Sequence, residues 1–316
     1  MLFLTALKSV ALLLAMAVPG FIIGKLKMID KEKAVSFISV MLLYVTQPFV
    51  TFDAFLNTSY NSTILLNLIM VFIITGILMV LTLLVGKLVM TGVGGDLTER
   101  AQSVYAGTFG NVGYLCIPFL QLFAPNDSVL ILYATSAIVG FNLISWTLGN
   151  YLLTGDKKYM SLKKAIFNPP TLSFIVALPL FICNINFPRF NLTGIQNVVG
   201  LFADMVGPLA MTLLGIKISE TSFRELFLDG KVYVSSIIKL LICPAICALL
   251  ILIFASFADI SAIKLNIVAF SAMPSANNVM MFSNRCGLDT KYPAKLVMIS
   301  TLLSIVSIPL TLMLLL

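Results

Sequence analysis

The sequence predicts an all-α membrane protein of ten transmembrane helices, folded as two inverted five-helix repeats. Three observations predict it: apolar runs of spanning length along the whole chain, basic residues confined to alternate gaps, and helix interruptions at matching places in the two halves. Of 316 residues, 59% are hydrophobic and 10% are charged, where a soluble domain carries roughly a quarter charged. A spanning helix needs about 20 apolar residues, and no soluble interior of this size hides ten such runs. The net charge of +7 does not point to nucleic acid. The basic residues lie in short gaps between apolar runs, where membrane orientation accounts for them.

The first run, residues 3–24, is long enough to cross and lacks the basic leader and cleavage site of a signal peptide. Its Gly20 and Gly24 form a GxxxG suited to close helix packing. The second, 35–56, carries Gln47-Pro48 in its interior and Asp53 near one end, and the third, 63–89, is uninterrupted. The fourth, 101–123, holds Gly-Asn-Val-Gly at 110–113 and then Pro118. Asn126, Asp127 and Ser128 offer caps for the fifth, 128–153. Asn168 followed by Pro169 and Pro170 suits the start of the sixth, 169–187. The seventh, 193–216, contains Asp204 and Gly207-Pro208, and the eighth, 232–256, contains Lys239 and Pro244. The ninth, 262–283, is interrupted by Met-Pro-Ser-Ala-Asn-Asn at 273–278, and 293–315 closes the series.

Sixteen of the twenty Lys and Arg residues fall at the gaps after the first, third, fifth, seventh and ninth runs, Arg224 among them. Positive residues stay cytoplasmic, so both termini are expected to be extracytoplasmic in a plasma (inner) membrane. An odd number of spans per half opposes the halves. The expected division is 1–154 for the first repeat, 155–167 for a cytoplasmic linker and 168–316 for the second repeat.

A proline removes the hydrogen bond to the carbonyl four residues back, so Pro118 frees Tyr114 and Pro274 frees Phe270. In lipid a freed group persists only where protein, water or a ligand satisfies it. The half-helix after each break offers free N–H groups and a positive dipole end, which suits a carboxylate. Asn111, Gly113, Pro118, Pro274, Ser275, Asn277 and Asn278 are therefore the candidate substrate-binding residues, with Gly110 and Gly113 competing with Pro118 as the true break. Pro208 frees the carbonyl of Asp204, and Pro244 frees that of Leu240 beside Lys239. Asp204 and Lys239 read either as coupling groups for Na⁺ or H⁺ or as a structural ion pair, and Asp53 is a third coupling candidate.

The chain has no histidine, which removes the usual zinc ligand and near-neutral proton carrier. No metal or cofactor is expected beyond coupling to Na⁺ or H⁺. The five cysteines read as buried free thiols. An enzyme is not expected, because HExxH, GxSxG and paired intramembrane aspartates are all missing. Paired interrupted helices at matching places point instead to a secondary transporter, here for small organic anions, with a cation-coupled symporter or Na⁺/H⁺ exchanger as the alternative. Its expected partners are the anion and the bilayer, with a homodimer compatible.

Six stretches together resemble the auxin efflux carrier family, in particular its bacterial branch of malate and malonate permeases. They are Tyr-Val-Thr-Gln-Pro-Phe-Val-Thr-Phe (44–52), Gly-Asn-Val-Gly-Tyr-Leu-Cys-Ile-Pro (110–118), Phe-Asn-Pro-Pro (167–170), Gly-Pro-Leu-Ala-Met-Thr-Leu-Leu-Gly (207–215), Lys239 with Pro244, and Ala-Met-Pro-Ser-Ala-Asn-Asn (272–278). The resemblance implies the fold of bile-acid symporters and some Na⁺/H⁺ antiporters, an elevator mechanism, and helices 4 and 9 crossing at Pro118 and Pro274. It also implies a substrate-side role for Asn111. The long central loop of plant members is absent, which favours a microbial carboxylate permease over an auxin carrier.

Overall fold

The computed structural model describes residues 2–125, 127–220 and 229–316. It is helical almost throughout: α1 (Leu2–Lys25), α2 (Lys31–Leu56), α3 (Ser62–Thr91), α4 (Leu97–Thr108), α5 (Val112–Phe123), α6 (Ser128–Thr154), α7 (Pro169–Ile182), α8 (Thr193–Glu220, jogged at Met205), α9 (Gly230–Ala255), α10 (Ser261–Ala272), α11 (Asn278–Arg285) and α12 (Lys291–Leu315). Helix starts follow the sequence signals. Asp127 accepts from the Leu130 amide at 2.9 Å to cap α6, and Asn168 accepts from the Thr171 amide at 3.1 Å to cap α7. Asn126 and Arg224 lie outside the described residues.

Seven of these helices are long and apolar enough to cross a membrane, and the bent pair Lys157–Ile166 and Pro169–Ile182 makes up to eight. The expectation of ten counts two further runs that the structure divides. The fourth run becomes α4 and α5, and the ninth becomes α10 and α11. A helix of about 12 residues rises only about 18 Å, against roughly 30 Å of hydrocarbon, so none of these halves qualifies by length.

Three of the prolines are accommodated by wide turns rather than by open breaks. Before Pro48, Pro118 and Pro244 the helix forms a π turn, at Leu42–Thr46, Val112–Cys116 and Ile238–Ile242. The amides of Gln47, Cys116 and Cys243 then reach the carbonyls five residues back, on Leu42, Asn111 and Ile238. This shift by one residue re-pairs backbone groups around the missing proline N–H.

Side-chain ties define two faces. On one, Thr58 meets Ser128 at 3.3 Å and the Tyr60 amide donates to Asn184 at 2.9 Å. On the other, Lys231 pairs with Glu99 at 2.5 Å and Gln102 donates to the Asp289 carbonyl at 2.8 Å. The second face carries the Lys157–Lys164 connection and is called the basic face below. The GxxxG of α1 packs on α8. A Cβ at Gly20 would collide with the Thr212 carbonyl, one at Gly24 with the Ser219 side chain, and one at Gly215 with the Ala17 carbonyl. Close approach of two backbones through small residues is how apolar helices associate in lipid. All five cysteines are free, but only Cys116, Cys243 and Cys247 are buried; Cys183 is exposed and Cys286 intermediate. Cys183 follows the last turn of α7 and Cys286 that of α11, where the chain leaves the packed interior.

Candidate functional site

The two divided runs meet. Gly110 and Ser275 form an isolated antiparallel bridge, in which the Asn111 amide donates to the Pro274 carbonyl at 2.7 Å and the Ala276 amide to the Phe109 carbonyl at 2.8 Å. The Ser275 amide donates to Ser300 Oγ of α12 at 3.1 Å. The interruption of the fourth run therefore falls at 109–111, and Pro118 is not where the chains cross. The reason is local. The π turn re-pairs the backbone around Pro118, whereas Gly110 brings its bare Cα within reach of Lys239 and the Met273 carbonyl. Pro274 does lie at the crossing.

The bridge consumes the Ala276 amide and Ser300 takes that of Ser275, two of the donors that the sequence assigns to an anion. Others remain. Among the described residues the amides of Gly113 and Tyr114 at the start of α5, and of Asn277 and Asn278 at the start of α11, have no acceptor. Asn111, Gly113, Tyr114 and Asn278 line one small cavity of about 110 Å³ with Gln47, Asn142 and Trp146. Gln47 lies so close to Gly113 that a Cβ there would overlap its amide nitrogen. Asn142 is fixed by donating to Asn168 at 3.0 Å and Thr171 at 3.2 Å. Asn277 and Ser275 carry buried side-chain oxygens without a partner among the described residues, beside the cavity rather than lining it. We call this cavity the crossover pocket.

Lys239 lies behind the bridge and is 0% exposed. Its ammonium donates to the Ser271 carbonyl at 3.2 Å and to Cys243 Sγ at 3.4 Å. A Cβ on Gly110 would meet Lys239 Nζ at 3.1 Å and the Met273 carbonyl at 3.3 Å. The positive charge thus sits at the negative C-terminal end of α10. No ion pair joins Lys239 to Asp204 among the described residues, which removes the structural pair as a reading. The carbonyl Lys239 serves belongs to another helix, not to neighbouring Leu240.

Asp204 and Asp53 occupy a different place. Both line a cavity of about 650 Å³ on the face opposite the basic one, with Asp127, Asn57, Gln121 and Gln196. Gln196 donates to Asn57 at 2.7 Å and Asn57 to Asp53 at 2.8 Å. The carboxylates of Asp53 and Asp204 are close enough to interact electrostatically. Pro118 and Pro208 line this cavity too, and Gly207 packs against the Pro118 ring. The candidate residues therefore divide between the crossover pocket (Asn111, Gly113, Asn278), the bridge and its surroundings (Pro274, Ser275, Asn277, Lys239) and the acidic cavity (Pro118, Asp53, Asp204).

Sequence reasoning passed over Gln47, Asn142 and Asn168 as site residues. An uncharged amide inside an apolar run is the signal that marks Gln47 and Asn142, whereas Asn168 reads only as a helix cap.

Comparison with known proteins gives two findings. The family described as membrane transport protein matches residues 5–160 and again 156–312. An uncharacterized transporter of Methanothermobacter thermautotrophicus is 22% identical over 318 residues, covering 98% of this chain and 98% of that protein.

Proposed function

The chain belongs to the membrane transport protein family, that of the auxin efflux carriers, and on that premise we propose that it is a secondary carrier of small organic anions such as carboxylates. One observation carries the anion reading: two helix starts with unpaired amides, Gly113 and Tyr114 on α5 and Asn277 and Asn278 on α11, converge at one crossover. Positive dipole ends and free N–H groups favour a carboxylate, and the side chains of Asn111, Asn278 and Gln47 add neutral donors. A cavity of about 110 Å³ suits an anion of a few heavy atoms. Drug-sized ligands occupy roughly 300–1,000 Å³.

In this reading the chain crosses the inner membrane ten times, as two opposed repeats, with the basic face cytoplasmic and both termini outside. The crossover and the helices packed on it move against the remainder to switch access, in the manner of an elevator. Transport by proteoliposomes tests the site. Asn111→Ala and Asn278→Ala should each lower carboxylate flux by at least about tenfold, the loss expected for one good hydrogen bond to a charged group, with the melting temperature unchanged. Wild-type flux in both variants overturns the site.

The acidic cavity favours a second reading, coupling to Na⁺ or H⁺. Asp53, Asp127 and Asp204 line it without any Lys or Arg, and a cavity lined by one sign of charge concentrates the opposite ion. Flux that depends on a Na⁺ or pH gradient supports coupling; flux set by the anion gradient and voltage alone overturns it.

A further inference from the structure

A separate cavity of about 200 Å³ opens on the basic face, between the end of α6, the Lys157–Lys164 connection and the end of α11. Trp146 lines both it and the crossover pocket, so one indole divides them. Lys158, Lys164 and Arg285 line the cavity and, among the described residues, no carboxylate does. Lys158 is engaged by Asp156 at 3.0 Å, but Lys164 and Arg285 have no carboxylate partner among the described residues. Arg285 is held over the Trp146 ring at 5.1 Å, and Phe282 packs edge-on against the same ring at 4.6 Å. A guanidinium attracted to an aromatic ring in this way still has N–H donors to offer an oxyanion.

Asn150 lines the same cavity and is 5% exposed. Its Nδ2 donates to the carbonyls of Trp146 at 3.2 Å and Tyr159 at 3.3 Å, which fixes which end of the amide is oxygen. Its Oδ1 has no donor among the described residues. The lining thus combines unpaired cations with one buried acceptor in need of a hydrogen.

We propose that this cavity is an oxyanion site distinct from the crossover pocket, built for a small soluble anion that also carries an O–H donor, hydrogen phosphate being the simplest. Lys164 and Arg285 meet the charge, Asn150 accepts the hydrogen of the protonated oxygen, and Trp146 and Phe282 form an aromatic wall. Sulfate has the same shape, but at neutral pH it has no hydrogen to give Asn150. The site goes beyond the carrier reading and does not rest on it.

The chain contains a single tryptophan, so its emission reports on Trp146 alone. Detergent-purified full-length protein is titrated with sodium phosphate and with sodium sulfate at pH 7 and equal ionic strength, by Trp146 fluorescence and in parallel by calorimetry. Saturable phosphate binding at least tenfold tighter than sulfate is expected. Lys164→Gln and Arg285→Gln should each weaken it at least tenfold, Lys164→Arg should retain it, and Asn150→Leu should erase the preference over sulfate. Equal affinity for the two anions overturns the proposal. So does phosphate binding that survives both Gln variants but is lost in Asn111→Ala, which would place the anion in the crossover pocket. A response that appears only with anionic phospholipid vesicles likewise overturns a soluble ligand.

Discussion

The cavities on the two faces of the crossover are opposite in charge and in construction. The larger is lined by Asp53, Asp127 and Asp204 with the amides of Asn57, Gln121 and Gln196, and by no cation. The crossover pocket has neutral amides, backbone and apolar side chains with no charged residue among those described, and beyond Trp146 come Lys158, Lys164 and Arg285 with no described acid. Between the acidic cavity and the crossover pocket lie buried side chains of α2, α5 and α6, Thr51, Ile117 and Thr135 among them. Both broken helices place their ends at the crossover, so the dipoles of α5, α10 and α11 supply part of the field there.

The sharpest way to break this arrangement is Gly110→Val. The new side chain would meet Lys239 Cε at 3.0 Å and Nζ at 3.1 Å, with the Met273 carbonyl at 3.3 Å. Overpacking of this kind costs roughly 1–3 kcal/mol, and here the strain falls on the bridge itself. Flux in proteoliposomes should fall by roughly a hundredfold and the melting temperature should drop with it. Normal flux would mean that the crossing does not shape the transport site.

Next in size, Asp53→Asn combined with Asp204→Asn removes two charges from the acidic cavity alone. Any dependence of flux on a Na⁺ or pH gradient should fall by about tenfold or more, the effect of losing roughly one unit of charge interaction. Anion affinity measured from the basic face should stay within about twofold, since additivity holds for distant sites. A large change in that affinity would show the two regions to be one site.

Gly20→Ala probes the seam between α1 and α8 that walls the acidic cavity through Leu13 and Met16. Its methyl would overlap the Thr212 carbonyl, and a loss of about 1–3 kcal/mol is expected from chemical or thermal unfolding. Gly194→Ala, where the added carbon meets nothing within 4 Å, is the control.

The smallest effect is at Asp289, which lines none of the described cavities. Its carboxylate accepts the amides of Tyr292 at 2.9 Å and Lys291 at 3.2 Å at the start of α12. These bonds, that from Tyr292 first, hold its pKa below the usual carboxylate value. A depressed folded pKa gives stability that is present above the ordinary value of about 3.9 and lost as pH falls through the folded one. Asp289→Ala should cost about 0.5–1 kcal/mol at pH 7, and the gap from wild type should close in strong acid. Flux should not change.

Much of the fold was legible because lipid imposes it. Every span must satisfy its own backbone, so length, apolarity and caps such as Asp127 and Asn168 are written locally. The interruptions at 110–113 and 273–278 were legible for the same reason, and the structure places a break at each. Less was legible of the site. Pro118 looked like a break and is a re-paired π turn; Gly110 looked like one of several glycines and is the crossing point. Asp204 and Lys239 are drawn together by opposite charge on paper, yet the fold puts one in the acidic cavity and the other behind the bridge.

The sequence by itself determined that this protein lives in a membrane, where its helices start, and which two runs are interrupted, because those properties depend on neighbours within a few residues and on the solvent. Only the tertiary structure decided which interruption faces which, which amides the bridge consumes and which it leaves free. It also decided that the acids and the bases line separate cavities. Those outcomes rest on contacts such as Gly110 with Ser275, Gly20 with Thr212 and Lys239 with Ser271. Residues far apart in the chain make them, so no local pattern of residues encodes them.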